Sequence, residues 1–254
     1  GLMNAQVAIK DDKFYMIEVN PRASRTIPFL SKCIGNSLAK IASKVITGKS
    51  LKDLGLEAEI MPTNYAVKAP VFPFNKFRKV DPILGPEMKS TGEVMGRGDC
   101  FGEAFGKAMK GAGEVIPNQG RVFVSVKDND KKYLPDLCSK LEKLGFQIYA
   151  TKGTAKALEK SDVKVKIVNK VLEGRPHIVD AILNKEIDMI INTTEGRQSI
   201  KDSFSIRRSA LEHSIFLTTT ISGGFAIVES LEKGEENWEY KPCLLYTSPS
   251  PRDP

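Results

Sequence analysis

Glu18, Asn20, Arg22 and Arg25 fall within eight positions, where the apolar run of "MIEVNPRASRTIPF" ends. On a strand Glu18 and Asn20 are two apart and share a face. Gln6, in the segment "NAQVAIK", joins that face if the two segments pair as a hairpin. The three side chains then offer hard oxygen ligands with one formal charge. Such a set suits Mg²⁺, which usually keeps part of its coordination for water or substrate phosphates. Arg22 and Arg25 supply forked donors for phosphate oxygens. Metal and guanidinium together neutralise charge in phosphoryl transfer. From spacing alone, a strand end with Glu18 salt-bridged to Arg22 is the commoner arrangement.

A second polar set runs through the C-terminal half. Short apolar segments, "RVFVSV", "FQIYA", "KVKIV", "IDMIIN" and "SIFLTT", alternate with helical patterns starting near Lys131, Thr154, Pro176 and Ser199, with a last one at "GGFAIVESLE". This predicts a parallel α/β sheet with helices on both faces and its ligand crevice at the carboxyl ends of the strands. The polar residues at those ends are Ser125, Lys127 and Asp128; Thr151, Lys152 and Thr154; Asn169 and Lys170; Asn192, Thr193 and Thr194; and Thr219. They contain no Ser-His-Asp arrangement, paired-carboxylate site or metal cluster. Hydroxyls, amides and lysines at helix starts suit a phosphate, although any one of them is more often an N-cap or a solvated side chain.

The elements that position the first set can be argued in register. "NAQVAIK" and "KFYMIEVN" alternate apolar and polar residues around Asp11-Asp12, a hairpin signal. A two-residue turn pairing Lys10 with Lys13 would set Gln6 opposite Ile17. A three-residue loop sets Val7 opposite Ile17, Ala5 opposite Val19, Ile9 opposite Tyr15 and Gln6 opposite Glu18. Because a one-residue slip flips every side chain, the second register is the expected one; it also places Asn4 and Asn20 on the polar face. "NSLAKIASKVITGKS" reads as a helix with Leu38, Ile41, Ala42 and Val45 on one face and Gly48 as its stop. "TNYAVKAPVFPF" is extended, "DPILGPEMKSTGEVMGRG" turn-rich, and "CFGEAFGKAMKGAG" a short helix; "IPNQG" (116–120) is the linker candidate. His177 and His213 are expected at a helix start and a helix end, and Arg207-Arg208 on a solvated or salt-bridged helix face.

With 38 basic and 31 acidic residues the net charge is +7, but the signs alternate and aromatics are not interleaved, which argues against a nucleic-acid stripe. No apolar run approaches the ~18 residues of a membrane span, and the first residues lack a signal-peptide pattern. Cys33, Cys100, Cys138 and Cys243 form no C-x-x-C pair and read as buried or free thiols of a reducing cytoplasm. "CLLYTSPSPRD" loses all periodicity and resembles translated adapter read-through, so residues 243–254 are expected to be a non-native or disordered tail.

"EVNPRASRTIPFLSKCIG" resembles the metal-and-phosphate strand of the ATP-grasp fold, specifically in the second synthetase half of the carbamoyl phosphate synthetase large subunit family. "PFNKF", "DPILGPEMKSTGEVMG", "VNKVLEGRPHI", "INTT" and "IRRSALEHS" continue the resemblance in order, over residues 1 to about 235. It implies an α/β and α+β chain. Residues 1–119 would be the C-terminal portion of an ATP-grasp domain, truncated at its start. Residues 120–235 would be a doubly wound, methylglyoxal-synthase-like regulatory domain. The resemblance further implies that Gln6, Glu18 and Asn20 bind the Mg²⁺ or Mn²⁺ that bridges ATP phosphates, and that Arg22 and Arg25 serve the phosphate or carbamate side. Ser125, Lys131, Thr151, Thr154, Lys170, Asn192, Thr193 and Thr194 would hold a nucleoside monophosphate, UMP or IMP.

The family's second half phosphorylates carbamate with ATP, after the first half makes carbamate from bicarbonate and from ammonia delivered by a glutaminase subunit. A cytoplasmic ligase, a homo-oligomer of heterodimers serving pyrimidine or arginine biosynthesis, is therefore implied, with no nucleic-acid or membrane partner. This chain alone is expected to be inactive. Ornithine-responsive members carry a Glu after the "VK" of "YxVK" and a Tyr two residues before the first Thr of "TT"; Ala69 and the sequence "FLTTT", with Leu217 before Thr218, depart from that, so no ornithine response is expected. A stand-alone nucleotide-binding module and another ATP-grasp ligase are the alternative readings.

Overall fold

The structure, a computed structural model, describes residues 1–77, 80–84, 89–90 and 92–240. They fall into two units, one built on Gly1–Tyr65 and one on Ala66–Trp238. The expectation of a tail over 243–254, and Cys243 with it, lies outside the described residues.

The first unit opens with the antiparallel hairpin β1 (Asn4–Lys10) and β2 (Lys13–Asn20). Its pairing corrects the expected register in one half and keeps it in the other. At the open end Asn4 faces Asn20, Ala5 faces Val19 and Gln6 faces Glu18. At the closed end Lys10 faces Lys13 across a two-residue turn, so Val7 meets Met16 and Ile9 meets Phe14, not Ile17 and Tyr15. Asp11 and Asp12 have φ of 50° and 56°, the pair of positive angles of a type I′ turn, whose twist matches that of the strands. The shift between Gln6 and Val7 leaves Ile17 as the spare residue of a β-bulge. The bulge reconciles a tight turn with apolar pairs on one face and the Gln6, Glu18 and Asn20 set on the other.

Two helices follow. The first, α1 (Thr26–Ile34), was not expected from the sequence; Pro28 in its first turn and Gly35 beyond its end, at φ 70°, are its start and stop signals. The second, α2 (Leu38–Ile46), begins where expected. Ser37 caps it by accepting from the Lys40 N–H, and Leu38, Ile41, Ala42 and Val45 are its half-buried face.

In the second unit β3 (Tyr65–Val71) and β4 (Gly92–Gly98) form a two-stranded sheet, and α3 (Phe101–Gly111) packs on β4. The strand β4 replaces part of the stretch expected to be turn-rich. Its glycines disguise it: a Cβ on Gly96 would stand 1.9 Å from the Ala104 carbonyl oxygen of α3. Glu93 on β4 forms an ion pair with Lys68 on β3 at 3.1 Å.

The remaining strands are β5 (Gly120–Ser125), β6 (Phe146–Ala150), β7 (Val165–Ile167), β8 (Met189–Asn192) and β9 (Phe216–Thr218), all parallel in the order β7-β6-β5-β8-β9. Between them run α4 (Leu134–Lys143), α5 (Lys152–Leu158), α6 (Ile178–Leu183), α7 (Arg197–Asp202) and α8 (Phe204–Glu212), and α9 (Ile221–Lys233) closes the unit. Alternate strand residues feed two cores. Val122, Val124, Met189 and Ile191 pack with Leu134, Leu137 and Leu141 of α4 and Ile227 of α9. Phe123, Tyr149 and Ile190 pack with Ile178 and Ile182 of α6 and Ile206 and Ala210 of α8. The central strands, buried on both faces, read as continuous apolar runs, which is why they were visible in the sequence. At the edge β7, with Lys166 and Ile167 exposed, is the least buried of the five.

His177 caps α6 in a reciprocal box with Asp180, and His213 ends α8, both as expected. Arg207 and Arg208 are both salt-bridged, as one branch of the expectation had it, but not on a solvated face. Arg207 is fully buried on α8 and pairs with Asp81, while Arg208 pairs with Glu212 at 2.9 Å. Burial, with some help from Glu142, pushes the Cys138 thiol up to about 12, so it is a packing residue and not a nucleophile.

Arg121 at the start of β5 grips Asp188 before β8. Its backbone N–H donates to Asp188 Oδ2 at 2.8 Å and its Nε to the same oxygen at 3.0 Å. Burial alone would push the Asp188 carboxyl up, but the hydrogen bonds and charge of Arg121 outweigh it and hold the group below its usual range. A depressed carboxyl contributes stability above its unfolded value of about 4 and loses it as pH falls through the folded value. Urea midpoints are therefore expected to fall as pH drops below about 4, and Asp188→Asn to flatten that slope. An identical acid slope in the variant would show that the pair contributes nothing.

Candidate functional site

The hairpin gathers the first set as far as backbone register can. Gln6 and Glu18 face each other, Asn20 is two residues on, and Asn20 Nδ2 donates to Glu18 Oε1 at 2.9 Å. That bond uses the amide nitrogen and one carboxylate oxygen, leaving Asn20 Oδ1, Glu18 Oε2 and Gln6 Oε1 as hard donors for a cation. The donor chemistry fits Mg²⁺ or Mn²⁺. Among the described residues no cluster of three His, Cys, Asp or Glu side chains could hold a metal, so the amide oxygens are what distinguish this group. Glu18 bonds to Asn20, while Arg22 turns to the Ala23 carbonyl at 3.2 Å, so the plainer Glu18–Arg22 bridge is not formed. Arg25 stands at the N-cap of α1, whose first turn carries no acidic residue. Two guanidiniums beside that helix start favour an anion there.

The second set surrounds the carboxyl ends of β5, β6 and β8. Between β5 and β8 the chain reverses its order of laying strands, the point at which open α/β sheets bind ligands. A cleft of about 480 Å³ opens there, and Ser125, Lys131, Thr151, Thr154 and Lys170 all line it. Its inner wall is tightly wired. Thr154 Oγ1 accepts from the Val126 N–H at 3.4 Å and from the Thr151 hydroxyl at 3.3 Å, which leaves the Thr154 proton to donate elsewhere. Thr193 Oγ1 accepts from the Lys127 N–H at 3.0 Å and so fixes the loop after β5. Asn192, Thr193 and Thr194 do not line the cleft. Asn192 nevertheless pairs with Ser125 across β8 and β5, is 1% exposed, and has neither amide atom hydrogen-bonded. A buried amide without partners costs about 1–3 kcal/mol, so Asn192 is a group that a ligand's polar atoms would satisfy.

Sequence reasoning passed over Asn129, Gly153 and Glu195, which also line the cleft. Glu195 escaped because a phosphate site was sought among cations and hydroxyls. A Cβ on Gly153 would lie 3.8 Å from Lys131 Nζ, so the lysine reaches over the start of α5. Lys131, bonded to Asp128 at 2.7 Å, holds that carboxyl below its usual range, with Lys170 adding to the effect. Ala69, 2% exposed on β3, and half-buried Leu217 on β9 present hydrocarbon at the two positions compared with ornithine-responsive chains.

A family model described as carbamoyl-phosphate synthase L chain, ATP binding domain, matches residues 1–54, and one described as MGS-like domain matches residues 134–219. The carbamoyl phosphate synthase large chain of Pseudomonas putida is 62% identical over 236 residues, 93% of this chain and 22% of that protein. The large chain of Buchnera aphidicola is 55% identical over 233 residues, and that of Vibrio cholerae 54% over 226, covering 92% and 89% of this chain and 22% and 21% of theirs. The chain thus spans about a fifth of the length of the curated relatives it matches. No helix among the described residues is long and apolar enough to cross a membrane. With an ATP-binding segment before an MGS-like sheet, and this identity along nearly all its residues, the chain belongs to the carbamoyl phosphate synthase large-chain family.

Proposed function

We propose that this chain joins the closing part of a carbamate-phosphorylating ATP-grasp domain to a regulatory domain that binds a nucleoside monophosphate. In the first, Gln6, Glu18 and Asn20 hold the divalent cation, which when bound neutralises ATP phosphate charge. Arg22 and Arg25 orient the phosphate or carbamate and stabilise its negative oxygens. The regulatory sheet holds UMP or IMP through the Thr151 and Thr154 hydroxyls, the Lys131 and Lys170 ammonium groups and Asn192. The whole enzyme, by analogy with its relatives, makes carbamoyl phosphate from bicarbonate, glutaminase-derived ammonia and ATP in the cytoplasm. This chain alone is not expected to do so, since Val7, Ile9, Phe14 and Met16 leave the apolar side of the hairpin exposed.

The observation that carries the regulatory reading is Asn192, buried and unpartnered beside a cleft that brings three lysines together. Calorimetry with UMP and IMP on the 254-residue chain tests it. Binding of at least one is expected, weakened about 10- to 100-fold in Lys131→Ala by loss of a charge-assisted bond. Equal affinity in the variant would move the ligand out of this cleft. The reading as a nucleotide-binding module without chemistry of its own is favoured by the second unit's complete pair of cores.

A further inference from the structure

The cleft holds carboxylates as well as cations, and the two differ in depth. Thr151 and Thr154 at its inner wall are each 2% exposed, whereas the side chains of Asp128 and Glu195 are 92% and 60% exposed. Each acid is tied to a cleft lysine. Lys131 Nζ lies 2.7 Å from Asp128 Oδ1, and Lys127 Nζ lies 3.7 Å from Glu195 Oε2. Asn129 Nδ2 donates to that same Glu195 oxygen at 3.5 Å. The inner wall is therefore made of donors and the rim is acidic.

A phosphate monoester carries about two negative charges at neutral pH. Seated on the threonine hydroxyls, it competes with Asp128 and Glu195 for Lys131 and Lys127, and Lys170 makes up the third cation. A di- or triphosphate can place only one phosphate on that wall. Its remaining phosphates must lie among the rim carboxylates, where like charges repel and a polar group loses its water without gaining a partner.

We infer that Asp128 and Glu195 are specificity-determining residues: they admit a nucleoside bearing one phosphate and reject those bearing two or three. The inference rests on the reading of the cleft as a phosphate site and adds what limits the ligand's charge. A regulatory site surrounded by abundant triphosphates needs such a filter, because the hydroxyls and lysines alone would attract any phosphorylated nucleoside.

Calorimetry on the 254-residue chain with UMP and UTP, in EDTA so that no metal masks the triphosphate, tests it. Wild type is expected to bind UMP about tenfold more tightly than UTP. The Asp128→Asn, Glu195→Gln double variant is expected to bring the two within about threefold, chiefly by strengthening UTP. UMP binding that weakens about 10-fold or more in Lys131→Ala locates the ligand in the cleft; an unchanged UMP-to-UTP ratio in the double variant then overturns the filter alone. A wild-type preference for UTP overturns it too, as does a parallel loss of both affinities, which would make the acids ligand contacts. If neither nucleotide binds, or affinity is unchanged in Lys131→Ala, the cleft reading falls and the filter with it.

Discussion

Asp81→Ala is expected to destabilise the Ala66–Trp238 unit by about 3–5 kcal/mol, because it leaves a buried guanidinium without its counterion. Arg207 is fully buried on α8, and both bonds that neutralise it go to one carboxylate: Nε donates to Asp81 Oδ1 at 2.8 Å and Nη2 to Oδ2 at 2.5 Å. Nη2 also donates to the Ile200 carbonyl of α7 at 2.8 Å, while Nη1 has no partner among the described residues. A charge held this way has no water to fall back on. Arg208 adds a weaker tie, donating to the Phe77 carbonyl at 3.3 Å, so two neighbouring arginines hold Phe77 and Asp81 to α8.

The same geometry predicts a rescue. Removing both partners removes the orphaned charge, so Asp81→Ala with Arg207→Met should recover most of the loss, as apolar replacements of buried ion pairs generally do. Urea unfolding followed by the fluorescence of Trp238, the chain's one tryptophan, reads both variants. A single variant within about 1 kcal/mol of wild type would mean the pair is hydrated and ordinary. Failure of the double variant to exceed the single would mean the cost lies in packing. Function should follow stability: Arg207 holds α7 by Ile200, and Ser199 of α7 lines the cleft, so UMP affinity is expected to weaken in Asp81→Ala even where the unit remains folded.

Much of this arrangement was legible in the sequence because its cause is local or periodic. The five parallel strands are apolar runs between helical patterns, and the polar residues that end them are forced to one edge of the sheet by topology. The pairing of Gln6 with Glu18 followed from keeping apolar residues on one face. What escaped reading depended on contacts distant in the chain. The spare Ile17 resolves a conflict between turn and register that the sequence alone states as a choice. β4 was hidden by glycines whose reason lies in α3. Arg207 looked like half of a surface pair because its partner, Asp81, is 126 residues away. Asp128 was placed at the crevice by topology but Glu195 was passed over, because only the assembled cleft shows acids and lysines bonded together.

Gly102→Ala is expected to cost the same unit about 3 kcal/mol or more, at or beyond the upper end of ordinary overpacking. A Cβ on Gly102 would stand 2.2 Å from the Glu229 carbonyl oxygen and 3.0 Å from the Ser230 nitrogen, and both are backbone atoms of α9. One turn on, a Cβ at Gly106 would stand 2.3 Å from Ser230 Oγ. The two glycines are i and i+4, so they form one bare face on which α9 lies, and at Gly102, where the neighbours are backbone, no rotamer change can make room. Relief requires α3 to move off α9 as a whole. Gly111 in the same helix supplies the control: a Cβ there meets Val94 at an ordinary 3.6 Å, so Gly111→Ala should be neutral or stabilising by up to about 1 kcal/mol through helix propensity. Opposite signs for one added methyl in one helix isolate the close approach. Equal effects would assign the first loss to propensity or the unfolded chain and remove the contact as its cause. The contact also bears on where the parallel-sheet unit begins. Since α3 precedes the 116–120 segment and α9 closes the sheet, starting a chain at Gly120 would bare the α9 surface that Gly102 and Gly106 cover, and the unit should lose stability with it.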